Sequence, residues 1–116
     1  MHFAISSTWG PTDPTRAMLP FIFAASALQS GDRVTLLFHD AVLLGVEGMG
    51  AKLVPVGPPN RYEEVAGHGG VKLWACKPCV DARGIVASSL DKRIKLGGMN
   101  EFHAACKEAD TRVVTF

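Results

Sequence analysis

The stretch Val71-Lys-Leu-Trp-Ala-Cys-Lys-Pro-Cys-Val-Asp-Ala-Arg-Gly84 decides how the chain reads. Val71 to Ala75 is an apolar run of strand length, and Pro78 stands where a helix begins, so a strand hands over to a helix at a C-x-x-C. A thiol at such a junction meets unpaired backbone N–H groups and the positive end of a helix, which favour the thiolate. Lys77 and Arg83 add positive charge. The segment therefore points to sulfur or redox chemistry, and it starts a strand–helix alternation that continues in both directions.

Toward the N-terminus, Arg33 to Phe38 is a β-rich run that ends at His39-Asp40 and is followed by the apolar segment Ala41 to Val46, whose exposed residues from Val42 to Val46 would bury on oligomerisation. Phe3 to Ser6 is a short opening strand, and Ser7 to Thr12 is a turn. Asp13-Pro14 has the form of an N-cap with proline at the first helical position, predicting a helix from about Pro14 to Gln29 that stops at Ser30-Gly31. Pro20 removes a bond to the carbonyl of Arg16, which predicts a kink or a later start. Glu47 to Asn60 is rich in glycine and proline and reads as a loop, and Arg61 to Ala66 as a short helix broken by Gly67-His68-Gly69-Gly70. Toward the C-terminus a helix from Pro78 to about Ile85, a strand at Ile94 to Leu96, a helix from Met99 to Ala109 and a strand from Arg112 to Phe116 complete the alternation.

Alternating strands and helices predict an α/β fold with a parallel or mainly parallel sheet covered on both faces. With 116 residues the chain closes one core, and no repeat or linker divides it, so residues 1–116 read as a single domain. A net charge of +1 argues against a nucleic-acid surface or a polybasic membrane contact. The apolar run Ala17 to Leu28 lacks a basic flank and is too short for a bilayer, so a core helix, no membrane span and no secretory leader are expected. Three cysteines, an odd number, then suit a cytoplasmic, reducing compartment, where C-x-x-C is more often catalytic or metal-binding than a structural staple. No G-x-G-x-x-G or P-loop is present, so no nucleotide cofactor is expected.

In an open α/β sheet the working groups gather beyond the carboxyl ends of the strands. Three strand ends here deliver Ser7 to Asp13, His39-Asp40 and Cys76 to Cys79. Cys76 is the candidate reactive thiolate. Cys79, at i+3, is either its resolving partner or a small packing residue. His39 either exchanges a proton with the thiol or is an ordinary loop or interface histidine. Asp13 reads first as a cap, and Trp74 as core filler or the wall of a pocket around the thiol. His103 and Cys106 share a helix face and complete a C-x2-C…H-x2-C set of zinc-ligand type, although the apolar neighbours of Cys106 describe a core cysteine.

Several segments resemble one family in order and spacing across the chain. They are Gly10-Pro11-Thr12-Asp13-Pro14, Arg33-Val-Thr-Leu-Leu-Phe38 leading into Ala41-Val-Leu-Leu-Gly45, a cysteine followed by Ala82-Arg83-Gly84-Ile85, and the terminal Val113-Val-Thr-Phe116. The chain is similar to the DsrE/DsrF-like (TusD-like) sulfur-relay proteins. That resemblance implies a three-layer α/β/α sandwich with a five-stranded, mainly parallel sheet, assembled as a homotrimer or homohexamer. It also implies a persulfide carried on one cysteine and passed to a partner, so the expected partners are sulfur donor and acceptor proteins. Counting back from Arg83-Gly84 places that cysteine at Cys76, with Cys79 where relay subunits commonly have a small residue. Asp13, His39 and Arg83 are the candidate substrate-binding residues. The alternatives are a small thiol–disulfide oxidoreductase using Cys76 and Cys79, and a non-enzymatic, zinc-binding oligomeric module.

Overall fold

The computed structural model describes residues 1–116. Five strands form one sheet in the order β4-β3-β2-β1-β5: β1 (His2–Ser7), β2 (Arg33–Phe38), β3 (Val71–Cys76), β4 (Ile94–Gly97) and β5 (Thr111–Thr115). Every pairing is parallel, so the sheet is wholly rather than mainly parallel. The most apolar strand, β2, is the central one. Buried from Val34 onward, it is the strand that must be covered on both faces.

Side chains alternate across the sheet, and their partners identify the two faces. Phe3 packs edge-on to Phe23, and Phe38 stacks with Phe21, both on helix α1 (Pro14–Gln29). His2, one residue from Phe3, has its ring nitrogens 2.9 and 2.8 Å from the Thr111 and Thr35 hydroxyls, on the face crossed by helix α5 (Met99–Cys106). Helix α3 (Tyr62–Ala66) packs beside α1, so helices lie on both faces.

Helix α1 begins as its sequence dictates. The Asp13 carboxylate accepts the Arg16 N–H at 3.1 Å, and Pro14 needs no donor in the first turn. Ala17, Phe21, Ala24 and Leu28 recur at helical spacing and are buried against the sheet. Pro20 does not delay the start: the helix runs from Pro14 through it, with the proline ring itself buried. No helix is long and apolar enough to cross a membrane.

The glycine- and proline-rich loop is organised by one side chain. Asn60 donates to the carbonyls of Gly50 and Leu53 at 2.9 and 2.8 Å, and accepts the Tyr62 N–H at 2.9 Å. This holds a single helical turn, α2 (Met49–Lys52), against the Tyr62 ring. A Cβ on residue 50 would lie 2.3 Å from Tyr62 Cδ2, so the turn requires glycine there. Gly50→Ala is expected to destabilise the fold by about 1–3 kcal/mol, the usual cost of overpacking, measured by urea unfolding.

The segment after β2 also departs from expectation. Ala41, Val42 and Leu44 enter the core through a short 3-10 turn (Val42–Gly45), and only Leu43 stays exposed. The apolar surface expected there for oligomer contact is therefore mostly internal.

Candidate functional site

Parallel pairing brings the carboxyl ends of β1, β2 and β3 to one edge: Ser7 pairs with Phe38, and Phe38 with Ala75. The next residues along β2 and β3 are His39 and Cys76. The His39 N–H donates to the Ser7 carbonyl at 2.9 Å, which extends the β1–β2 ladder by one residue and fixes where the imidazole emerges.

Cys76 is the last residue of β3 and the N-cap of helix α4 (Lys77–Ala82). Its backbone is extended, and its side chain makes no capping hydrogen bond. Helix α4 starts one residue earlier than expected and ends three earlier, because Gly84 takes a positive φ of 64°. With six residues its dipole is modest, so the helix supplies geometry more than field. Cys79 follows Cys76 by three residues on the first turn. The ring nitrogen of His39 and the sulfurs of Cys76 and Cys79 all lie within 4.8 Å of one another.

The two thiols differ. Cys76 is buried and belongs to the hydrophobic core, whereas Cys79 is half-buried. Burial, followed by its hydrogen bond to Cys76 and the charge on that sulfur, pushes the Cys79 thiol up to about 11; Arg83 acts weakly in the opposite sense. Cys79 thus holds its proton at neutral pH. With the sulfurs this close, the pair is within reach of disulfide formation after small side-chain rotations.

Arg83 at the end of α4 pairs with Asp40, the residue after His39. The pair forms one wall of a cleft of about 500 Å³ whose other walls are Leu43 and the β1–α1 loop with Trp9, Gly10 and Thr12. The Arg16 guanidinium lies 4.5 Å over the Trp9 ring. Sequence reasoning did not single out Trp9, and no periodic signal marks it. Lys77 is drawn to Asp81 at 2.8 Å along α4, so its charge is partly spent on its own helix.

The remaining candidates fall elsewhere. Asp13 is engaged as the cap of α1 and in an ion pair with Arg16 at 3.7 Å, outside the His39–Cys76–Cys79 group. Trp74 faces Gly97 and lines a groove with Glu101 and Ala104 beside α5. Cys106 ends α5, at the edge where β5 begins, and His103 lies one turn before it. Five or six residues of strand, about 17 Å, separate that edge from Cys76, so the zinc set combining the two pairs does not assemble. Burial pushes the Cys106 thiol up, as suits a packing cysteine.

Comparisons with known proteins agree with this architecture. The chain is similar to the crystal structure of the ychN protein from E. coli, with a TM-score of 0.75 at 24% identity, covering 100% of this chain and 99% of that one. It is also similar to MTH1491, a protein of unknown function from Methanobacterium thermoautotrophicum, with a TM-score of 0.62 at 11% identity, covering 99% and 96%. No curated protein matches the chain. The family model described as DsrE/DsrF-like matches residues 1–116, and the chain belongs to the DsrE/DsrF-like family.

Proposed function

We propose that the protein is a sulfur carrier that holds a persulfide on Cys76 and yields it to an acceptor thiol. The observation that carries this reading is the position of Cys76 at the strand edge with His39 and Cys79 around its sulfur, in a chain of this family. The Cys76 thiolate attacks the outer sulfur of a donor persulfide R–S–SH. The S–S bond of the donor breaks, R–S⁻ leaves, and Cys76–S–SH remains. An acceptor thiolate then attacks the outer sulfur, and Cys76 leaves as the thiolate. Sulfur moves as a neutral atom in both steps, so neither needs an external oxidant.

His39 is within reach to give or take the proton that accompanies each exchange. The Arg83–Asp40 pair and the cleft beside it are where a donor or acceptor segment enters, with Arg83 offering charge to an anionic group. Asp13 contributes by fixing the start of α1 and so the loop that forms the opposite wall. Donor and acceptor proteins are the partners this chemistry requires. Leu96 and Val113, exposed on the edge strands, offer apolar area for self-assembly as a trimer or hexamer.

Lys77 precedes Pro78, so trypsin leaves both cysteines of the motif in one peptide and variants must locate the sulfur. A chain carrying Cys79→Ser and Cys106→Ser, with Cys76 alone, is expected to gain about 32 Da from a persulfide donor, the mass of one added sulfur. Failure of that chain to load, while the native one does, overturns the assignment. The closeness of the two sulfurs favours one second reading, a dithiol–disulfide oxidoreductase. It predicts a reversible Cys76–Cys79 disulfide in a glutathione buffer and no persulfide on the native chain.

A further inference from the structure

The sequence offered a zinc set that the fold separates, yet the fold builds another from different residues. His39 arrives from the end of β2, and Cys76 and Cys79 from the β3–α4 junction. Their donor atoms lie within 4.8 Å of one another. A tetrahedral Zn²⁺ site with Zn–S of about 2.3 Å and Zn–N of about 2.0 Å requires donor separations of about 3.5–3.8 Å. Rotation of exposed or half-buried side chains covers the difference, and both His39 and Cys79 are half-buried.

We propose that His39, Cys76 and Cys79 bind a thiophilic cation of the Zn²⁺ type, and that metal and sulfur exclude each other on Cys76. Two thiolates and an imidazole are a donor set for zinc. The two thiolate charges balance the cation, so a neutral unit replaces what would be an unpaired buried charge beside the core. Binding transfers the thiol protons to solvent and changes no oxidation state. The fourth position belongs to water or to an incoming thiolate. Asp40 does not fill it, because its carboxylate is held by Arg83. The exclusion follows from bonding: Zn²⁺ draws electron density from the Cys76 sulfur and lowers its nucleophilicity toward a donor persulfide.

The metal site stands apart from the sulfur-carrier reading, and only the exclusion rests on it. The reduced full chain is to be titrated with Zn²⁺ against a chromophoric chelator, and with Co²⁺ to read thiolate-to-metal charge-transfer absorption. One metal per chain is expected. His39→Ala should weaken binding roughly 10-fold or more, at least as much as loss of a group supporting a metal ligand, while keeping the charge-transfer band. Cys76→Ser and Cys79→Ser should each weaken binding and reduce that band, whereas Cys106→Ser and His103→Ala leave both unchanged. Circular dichroism verifies that each variant folds. Affinity unaffected by His39→Ala, binding that follows Cys106 or His103, or no binding above that of the Cys76→Ser/Cys79→Ser chain overturns the site. In a second arm the zinc-loaded chain meets a persulfide donor. Loading at the metal-free rate overturns the exclusion, whereas a chain that binds zinc but takes up no sulfur in either form overturns the carrier reading and leaves the site intact.

Discussion

A Cys76→Ser chain incubated with a persulfide donor gains no sulfur, while a Cys79→Ser chain gains it and keeps it longer than the native protein. The first half follows from chemistry: a serine hydroxyl is far too weakly acidic and too hard a nucleophile to take a sulfane sulfur. The substitution is also structurally mild. Residue 76 occupies the N-cap of α4 with extended backbone, a position that favours serine, so lost loading reports chemistry rather than unfolding. The second half follows from the inequality of the two thiols. Attack by the Cys79 thiolate on the inner sulfur of Cys76–S–SH forms the Cys76–Cys79 disulfide and expels HS⁻. With Cys79 pushed up to about 11, only about one Cys79 in ten thousand is a thiolate at pH 7. Burial is the leading cause of that shift.

Sulfide release from the loaded native chain should therefore be slow at pH 7 and rise about tenfold per pH unit as Cys79 deprotonates, toward a plateau near pH 11. In Cys79→Ser that pH-dependent release disappears, and the persulfide lifetime at pH 9 lengthens by on the order of tenfold or more, as removal of a resolving thiol requires. A methylene-blue sulfide assay with intact-mass spectra follows both. Equal release rates from the two chains would remove Cys79 as the resolving thiol; loss of loading in Cys79→Ser would show that the two sulfurs do not have separate roles.

The sequence made the site legible because its signals are local. Apolar runs stop at Phe38 and Cys76, so His39 and the C-x-x-C are recognisable as strand-end residues before any packing is known. The Arg83–Asp40 pair joins residues 43 apart, and neither residue's neighbours disclose the other. The apolar segment after His39 could not be assigned to surface or core, since an apolar run reads the same in both; the 3-10 turn that buries Val42 and Leu44 depends on the space α4 and β3 leave there. Pro78 placed the start of α4 to within one residue but not its end, which Gly84 sets through its backbone conformation. Parallel pairing brings the three strand ends that the rule names to one edge of the sheet. With β5 returning beside β1, the winding order of the sheet reverses between those two strands, yet both thiols sit at the β3–α4 junction and the imidazole follows β2.

Just before β4 stands a polar cluster the sequence did not announce, and its removal is the largest stability effect expected. Asp91 is buried, accepts the Tyr62 hydroxyl at 3.0 Å, and accepts three bonds from Arg93: the backbone N–H at 3.0 Å, Nε at 2.9 Å and Nη2 at 2.6 Å. Arg93 also grips both Glu63 oxygens at 3.1 Å, so β4 is tied to α3. These donors hold the Asp91 carboxyl down at about 2, with the Arg93 side chain the leading cause. In turn, burial and the Asp91 charge raise the Tyr62 phenol well above its ordinary value. Asp91→Ala leaves the buried Tyr62 hydroxyl without an acceptor but leaves Arg93 its Glu63 partner, so the loss is about 2–3 kcal/mol rather than the full cost of a stranded charge. For a chain of this size that lowers the melting temperature by roughly 10 °C.

The sign of the pH dependence follows from the direction of the shift. A carboxyl depressed in the folded state contributes stability above its unfolded value, near 4, and loses it as pH falls through 4 toward 2. The difference in unfolding free energy between the native chain and Asp91→Ala should accordingly be constant above pH 5 and shrink by about 2 kcal/mol between pH 4 and pH 2. Urea unfolding across that range measures it. A difference that stays level into acid would mean that Asp91 acts through packing alone, and that the charge on its carboxylate does not hold α3 against β4.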